Sequence, residues 1–312
     1  MKQATAESAV RPTFLQRNAD QIQIQSMVWP GLIFLFVFAY LPMYGIIIAF
    51  KDYGLMSTMQ TAPWAGLKYF REFLSDPALM KTVRNTLVIN GLALFFSFPA
   101  PILLALLINE IKFVRFKKIA QTISYLPHFL SWVIFGGIIM EMLLPGGLVA
   151  SGLHLLGLFP EDINLMAKGQ YFFVIYTIVS IIKSVGYGSI LYVAAITGID
   201  QELYEAATVD GCNRFQKMIY ITLPCIVGTV VIMLIFQISS ILNTGYEQII
   251  LLQNPMNLAF SETIDTYVYK TGIAQTRFSY ATAVGVLKSG LSVLLMLIAN
   301  TASKKLLDRG LF

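Results

Sequence analysis

Glu205-Ala206-Ala207-Thr208-Val209-Asp210-Gly211, closed further on by Ile221-Thr222-Leu223-Pro224, is the stretch whose reading decides the fold. It lies in a polar island between two long apolar segments. Asp200 is placed to cap a helix N-terminus through its carboxylate. Gln201 to Asp210 predicts a short helix, and Gly211 supplies the permissive backbone for its C-terminal turn. Ten residues rising 1.5 Å each make a rod about 15 Å long. Ala206 and Ala207 are small enough for another protein's surface to approach closely, and Glu205 offers a carboxylate to an Arg or Lys partner. A second helix is predicted from about Asn213, and Pro224 marks where the chain turns into the next apolar segment. Two readings stand: a docking helix for a partner, or an ordinary helix–turn–helix that binds nothing.

The segments on either side say membrane. The chain of 312 residues is 56% hydrophobic and 12% charged, about half the charged share of a soluble domain, and its mean hydropathy is +0.69. A span needs roughly 20 apolar residues. Six are predicted, at Val28–Phe50, Thr86–Ile108, Ile119–Leu144, Tyr171–Ile196, Cys225–Leu242 and Tyr280–Ala302. Residues 1–27 are polar and carry no cleavable apolar core, so the first span reads as a retained anchor. Lys and Arg counts set the orientation. With the N-terminus inside, the inner segments carry 12 and the outer ones 8. The compact Lys112, Arg115, Lys117, Lys118 cluster and the Lys304, Lys305, Arg309 tail decide for both termini inside. The net charge of +5 follows from this topology and is no argument for nucleic acid. Cys212 faces the reducing interior and Cys225 opens a span, so no disulfide is expected. Short helices outside the membrane are predicted at Leu67–Leu74 and Leu148–Leu158.

The opening stretch resembles the signature EAA-x3-G-x9-I-x-LP of the membrane subunits of binding-protein-dependent ABC importers, with every defining position matched. The resemblance continues through Tyr40-Leu41-Pro42-Met43-Tyr44-Gly45, Gly66-Leu67-Lys68-Tyr69-Phe70, Gly186-Tyr187-Gly188-Ser189-Ile190, Ile264-Asp265-Thr266-Tyr267-Val268-Tyr269 and Ser279-Tyr280-Ala281-Thr282-Ala283-Val284-Gly285. These resemble carbohydrate permeases of the branch handling aldouronates, rhamnogalacturonan fragments and alginate. Ile182 departs from it, since many relatives carry a tryptophan there. The resemblance implies an all-α fold of six transmembrane helices, the type I importer permease. It implies a domain over residues 28–302 with its coupling loop at 200–224, between a cytoplasmic segment (1–27) and a cytoplasmic tail (303–312). Glu205, Ala206, Ala207, Asp210, Gly211, Ile221, Leu223 and Pro224 would contact the ATPase. The implied partners are a second homologous permease, two ATP-binding subunits carrying ATP and Mg²⁺, and an extracytoplasmic solute-binding protein. The implied place is the bacterial cytoplasmic membrane.

Within the spans, ionisable groups are costly and face the protein interior or a water-filled cavity. Lys183 and Lys288 are therefore expected either to line a translocation path or to be structural, through pairing or snorkelling. Gln237, Ser240, Asn243 and Tyr246 put amides, hydroxyls and an aromatic face near one side of the fifth span, with Tyr187 on the fourth. They suit either a sugar pathway or hydrogen bonding between helices. Glu141 is the main acidic residue seen inside a span, so the two lysines predict a positive path and an acidic oligosaccharide cargo. A neutral oligosaccharide is the alternative. Pro99, Pro101 and Pro127 are expected to kink their spans.

The chain has no G-x4-G-K-[ST] phosphate loop and no HExxH or paired-cysteine metal spacing. His128 is expected to be packed, and His154 to lie at the outer interface. A transport subunit without its own ATPase site is the expectation. A polytopic membrane enzyme would need an acidic metal or nucleotide site on a loop, and a non-transporting scaffold is the other alternative.

Overall fold

The computed structural model describes residues 19–159, 163–307 and 310. The first 18 residues and, in the tail, residues 308, 309, 311 and 312 lie outside the described residues, Arg309 among them. Among those described the fold is all-α, and six stretches are long and apolar enough to cross a membrane. These are Gln23–Phe50, Leu79–Glu110, Trp132–Leu155, Gly169–Thr197, Arg214–Ser239 and Phe278–Lys305.

The helices run, in order, α1 (Ala19–Leu35), α2 (Lys68–Ser75), α3 (Leu79–Leu92), α4 (Pro99–Glu110), α5 (Val114–Phe129), α6 (Trp132–Leu143), α7 (Leu148–Leu155) and α8 (Phe172–Thr197). They continue with α9 (Gln201–Val209), α10 (Arg214–Lys217), α11 (Leu223–Ser239), α12 (Glu247–Leu252), α13 (Leu258–Ser261), α14 (Ile264–Tyr269) and α15 (Phe278–Leu307). The predicted outer helices at 67–74 and 148–158 correspond to α2 and α7.

Three spans contain a widened turn closed by a bond five residues back, and each ends two residues before a proline. Phe36–Tyr40 precedes Pro42, Ala93–Ser97 precedes Pro99, and Met218–Thr222 precedes Pro224. Proline has no N–H and its ring collides with the carbonyl four residues back. Widening the turn moves that carbonyl aside and lets the helix continue. Pro224 therefore does not turn the chain, as the sequence suggested. Arg214–Ser239 runs as one helical stretch.

The third span departs most from expectation. Ile119–Leu144 is not one helix. It breaks at Leu130 and Ser131, both extended, and restarts when the Ser131 hydroxyl caps α6 by accepting the Ile134 N–H at 3.2 Å. The fifth span ends three residues earlier than predicted, at Ser239, so Ser240 leaves the helix, and Asn243 and Tyr246 stand further along in the connection.

The fourth span is the axis of the fold, with 33% of its most apolar window buried against 6% for the first. Toward one end, Phe172, Tyr176 and Val179 of α8 pack with Ile89, Phe135, Ile249 and Leu252. Toward the other, Tyr192 and Ile196 pack with Ile102, Ala105, Leu106 and Ile226. Between these clusters Gly186 meets α5 backbone to backbone. A Cβ there would lie 1.9 Å from the Ser124 carbonyl oxygen, so glycine is required for this crossing.

The connections around Asp76 and Ala259 are tied down by polar contacts. Tyr267 and Tyr280 both donate to Asp76, Glu72 pairs with Arg277, and the Asn85 amide donates to the carbonyls of Ala259 (3.1 Å) and Glu262 (2.9 Å). Burial pushes the Asp76 carboxyl up. The hydrogen bonds from Tyr267, the Ala78 N–H and Tyr280, with the charge of Arg277, outweigh it and hold the group below its ordinary value.

Candidate functional site

Two regions answer to the sequence expectations: the loop after the fourth span and a cavity among the spans.

In the loop, Asp200 accepts the Glu202 N–H at 3.0 Å and starts α9, as its side chain predicts. The helix stops through local backbone bonds alone. The Gly211 N–H reaches the Thr208 carbonyl at 3.1 Å, and the Cys212 N–H reaches that of Ala207 at 2.9 Å. This paired closure needs a left-handed residue, and Gly211 supplies it at φ +78°. Asn213 and Gln216 then cap each other's backbone and open α10. Tyr204 bonds to Thr222 at 2.9 Å and ties α9 to the base of the fifth span. Ala207 is buried, whereas Glu205, Ala206, Asp210, Gly211, Leu223 and Pro224 are exposed and Ile221 is half-buried. Leu203, Val209, Phe215 and Tyr220 add exposed apolar area to the same loop, and Val209 is 89% exposed. Charge, small residues and apolar side chains are thus all exposed along this loop.

The cavity has a volume of about 770 Å³. Ile89, Asn90, Ala93, Ser97, Phe98 and Pro101 line it from the second span, and Trp132 from the third. The fourth span contributes Tyr176, Thr177, Ser180, Ser184, Gly188 and Tyr192. The fifth span and its connection contribute Met233, Phe236, Gln237, Ser239, Ser240, Asn243, Thr244 and Gln248. Tyr176, Ser180, Ser184, Gly188 and Tyr192 recur every fourth residue, the spacing that keeps side chains along one helix face. That period was readable in the sequence but was overlooked, because two serines and a glycine do not stand out in an apolar span. Ser97 lies on the widened turn before Pro99, and its hydroxyl oxygen is buried without a hydrogen-bond partner.

Of the predicted pathway residues, Gln237, Ser240 and Asn243 line this cavity. Lys183, Tyr187, Tyr246 and Lys288 do not. Lys183 is buried, and its ammonium donates to the carbonyls of Pro127 (3.2 Å), His128 (3.4 Å) and Leu130 at the broken end of α5. Tyr187 stacks on His128, with ring centroids 3.9 Å apart and planes within 2°. Tyr246 stacks on Tyr269 at 4.5 Å beyond the end of the fifth span. Lys288 forms an ion pair with Asp265, which also accepts the N–H groups of Thr244 (2.8 Å) and Gly245 (3.2 Å). Asp265 was read as part of an outer connection. The short α14 brings it back against the sixth span, where it cancels the charge expected to face the path. No charged side chain lines the cavity among the described residues.

Six spans, a capped loop exposing a mixed surface, and a polar cavity between spans define an integral membrane subunit built for transport. The family described as "Binding-protein-dependent transport system inner membrane component" matches residues 86–310. The chain belongs to that family. It is 42% identical over 283 residues to Protein LplB of Bacillus subtilis (strain 168), covering 91% of this chain and 89% of the relative. It is 40% identical over 303 residues to the polygalacturonan/rhamnogalacturonan transport system permease protein YteP of the same organism, covering 97% and 94%. A chain in the crystal structure of a bacterial alginate ABC transporter, in complex with an alginate pentasaccharide-bound periplasmic protein, superposes with a TM-score of 0.84 at 36% identity. That match covers 96% of this chain and 99% of the other.

Proposed function

We propose that this chain is the permease subunit of an ABC importer carrying an acidic oligo- or polysaccharide, of the pectin or alginate kind, across the bacterial cytoplasmic membrane. The observation that carries the transport reading is the cavity, whose amides, hydroxyls and aromatic faces are the groups that bind sugars. The acidic cargo is supported by YteP and by the alginate transporter. A positive potential from Lys183 and Lys288 no longer supports it, because both are committed to protein partners. In this reading the carboxylates of the cargo meet neutral donors such as Gln237, Asn243, Trp132 and Ser97 in this subunit.

The loop at 200–224 is then the contact with a separate ATPase, through Glu205, Ala206, Ala207, Asp210, Gly211, Ile221, Leu223 and Pro224. Two such ATPases would supply ATP and Mg²⁺, since this chain carries no phosphate loop and performs no chemistry of its own. A second homologous permease completes the pathway, and both termini face the cytoplasm. The periplasmic protein in the alginate complex supports delivery by an extracytoplasmic solute-binding protein.

The test is uptake and ATP hydrolysis by the assembled transporter in proteoliposomes, with uronate and neutral oligosaccharides of equal length. Uronates are expected to give the larger stimulation and uptake. A better response to neutral sugars would overturn the acidic assignment.

A further inference from the structure

Lys183 donates only to backbone carbonyls, which is an unusual use of a buried charge. Its three acceptors, Pro127, His128 and Leu130, belong to the last turn of α5 and the break after it. Carbonyls at a helix C-terminus carry the negative end of the helix dipole and lack partners within the helix, so a cation is well placed there. No carboxylate pairs with Lys183 among the described residues. The same ammonium sits 5.1 Å from the ring centroid of Trp132 and 5.3 Å from that of Phe135, within the range of cation–π attraction. Trp132 is the first residue after the capping Ser131, and it is the third span's contribution to the cavity wall. One side chain from the fourth span therefore closes the broken helix and grips the aromatic residue that emerges from the break.

We propose that Lys183 is a positioning residue, setting the orientation of Trp132 so that its indole serves as a stacking surface for a sugar ring in the cavity. This rests on the transport reading above. Lys183 acts on the cargo at one remove and never touches it. The break in the third span is then part of the site, because a continuous helix would leave no free carbonyls to anchor the lysine.

The experiment uses the complete transporter in proteoliposomes and reads saccharide imported per ATP hydrolysed. Trp132→Leu, which removes the aromatic face and keeps apolar bulk, is expected to lower that ratio on the order of tenfold, and Trp132→Phe to restore most of it. Lys183→Met should lower it similarly and Lys183→Arg should recover it. In a Trp132→Leu background, Lys183→Met should cause no further loss. Losses that multiply in the double variant, or an unchanged ratio in Lys183→Met, would overturn the proposal. Should Lys183→Met fail to assemble, Lys183→Gln carries the test. It keeps two donors for the carbonyls but no charge over the indole, and an unaltered ratio in it sinks the idea. If Trp132→Leu, Gln237→Ala and Ser184→Ala all import normally, the cavity itself is not the path, and that failure is separate from any failure of the lysine's role.

Discussion

A helix ends at Gly211 and another at Leu130, and the two endings are satisfied in opposite ways. In the loop after the fourth span the last carbonyls of α9 are met by N–H groups of the next few residues, because Gly211 adopts positive φ. In the third span the last carbonyls of α5 are met by Lys183, more than 50 residues later in the chain. The first ending travels with its own sequence. The second exists only when two spans are packed together. A loop that must present a fixed surface to another protein benefits from closure that needs no tertiary support. A wall of a transport cavity can instead be held by a contact that other parts of the molecule are able to alter.

The largest effect is expected at the loop's interface. Glu205 is exposed and has no ion-pair partner among the described residues, so Glu205→Ala should leave the isolated subunit's melting temperature nearly unchanged. Association with the ATPase should weaken by about 2–5 kcal/mol, as when one partner of a buried charge pair is removed. Pull-down of the ATPase with the detergent-solubilised permease measures this, and full retention by Glu205→Lys would show that the carboxylate is not the anchor.

Lys183→Met should come next, with the cost falling on the fold. Three carbonyls lose their donor at once, and a loss of about 1–3 kcal/mol is expected from even one unsatisfied group. Thermal unfolding followed at a probe on α6 would register the loss, whereas a melting curve like the wild type's would mean that the break closes without the lysine.

Gly211→Val tests the local ending. No atom lies within 4 Å of a Cβ placed there, so the penalty is conformational and not steric crowding. It should be about 1–2 kcal/mol, while Gly211→Asn, whose side chain tolerates this conformation, should be milder. Equal damage from both would point to a partner surface in contact with the Gly211 backbone.

The smallest effect concerns pH at Asp76. The folded Asp76 carboxyl lies below its ordinary value of 3.8. Its contribution is therefore complete above that pH and is lost as pH falls through the lower, folded value. Acid unfolding of the segment that Asp76 holds should show this dependence, and Asp76→Asn should flatten it. An unchanged acid transition in Asp76→Asn would assign the loss to other carboxylates.

The residues that were legible in advance are those whose effect is local or periodic. Runs of about 20 apolar residues located five of the six spans. The fourth and sixth match closely at both ends, whereas the second and fifth begin earlier than read, at Leu79 and Arg214. Asp200 and Gly211 announced their caps because capping depends on one residue and its immediate neighbours. Gln237, Ser240 and Asn243 were recognisable because polar groups are conspicuous in an apolar segment. Prolines were read too simply. Pro99 suggested a kink and Pro224 a turn of the chain, but the widened turns before them keep the helices going.

Only the tertiary structure decided what the two intramembrane lysines do. A sequence shows that a buried charge must find a partner, but that partner is chosen by packing across the fold. Asp265 reached Lys288 because α14 folds back against the sixth span, and Lys183 found carbonyls freed by a break in a different span. Both choices removed charge from the cavity wall. The chain order thus set the spans, the caps and the loop, where free energy depends on neighbours in sequence. The neutrality of the cavity was settled by contacts between residues far apart in the chain.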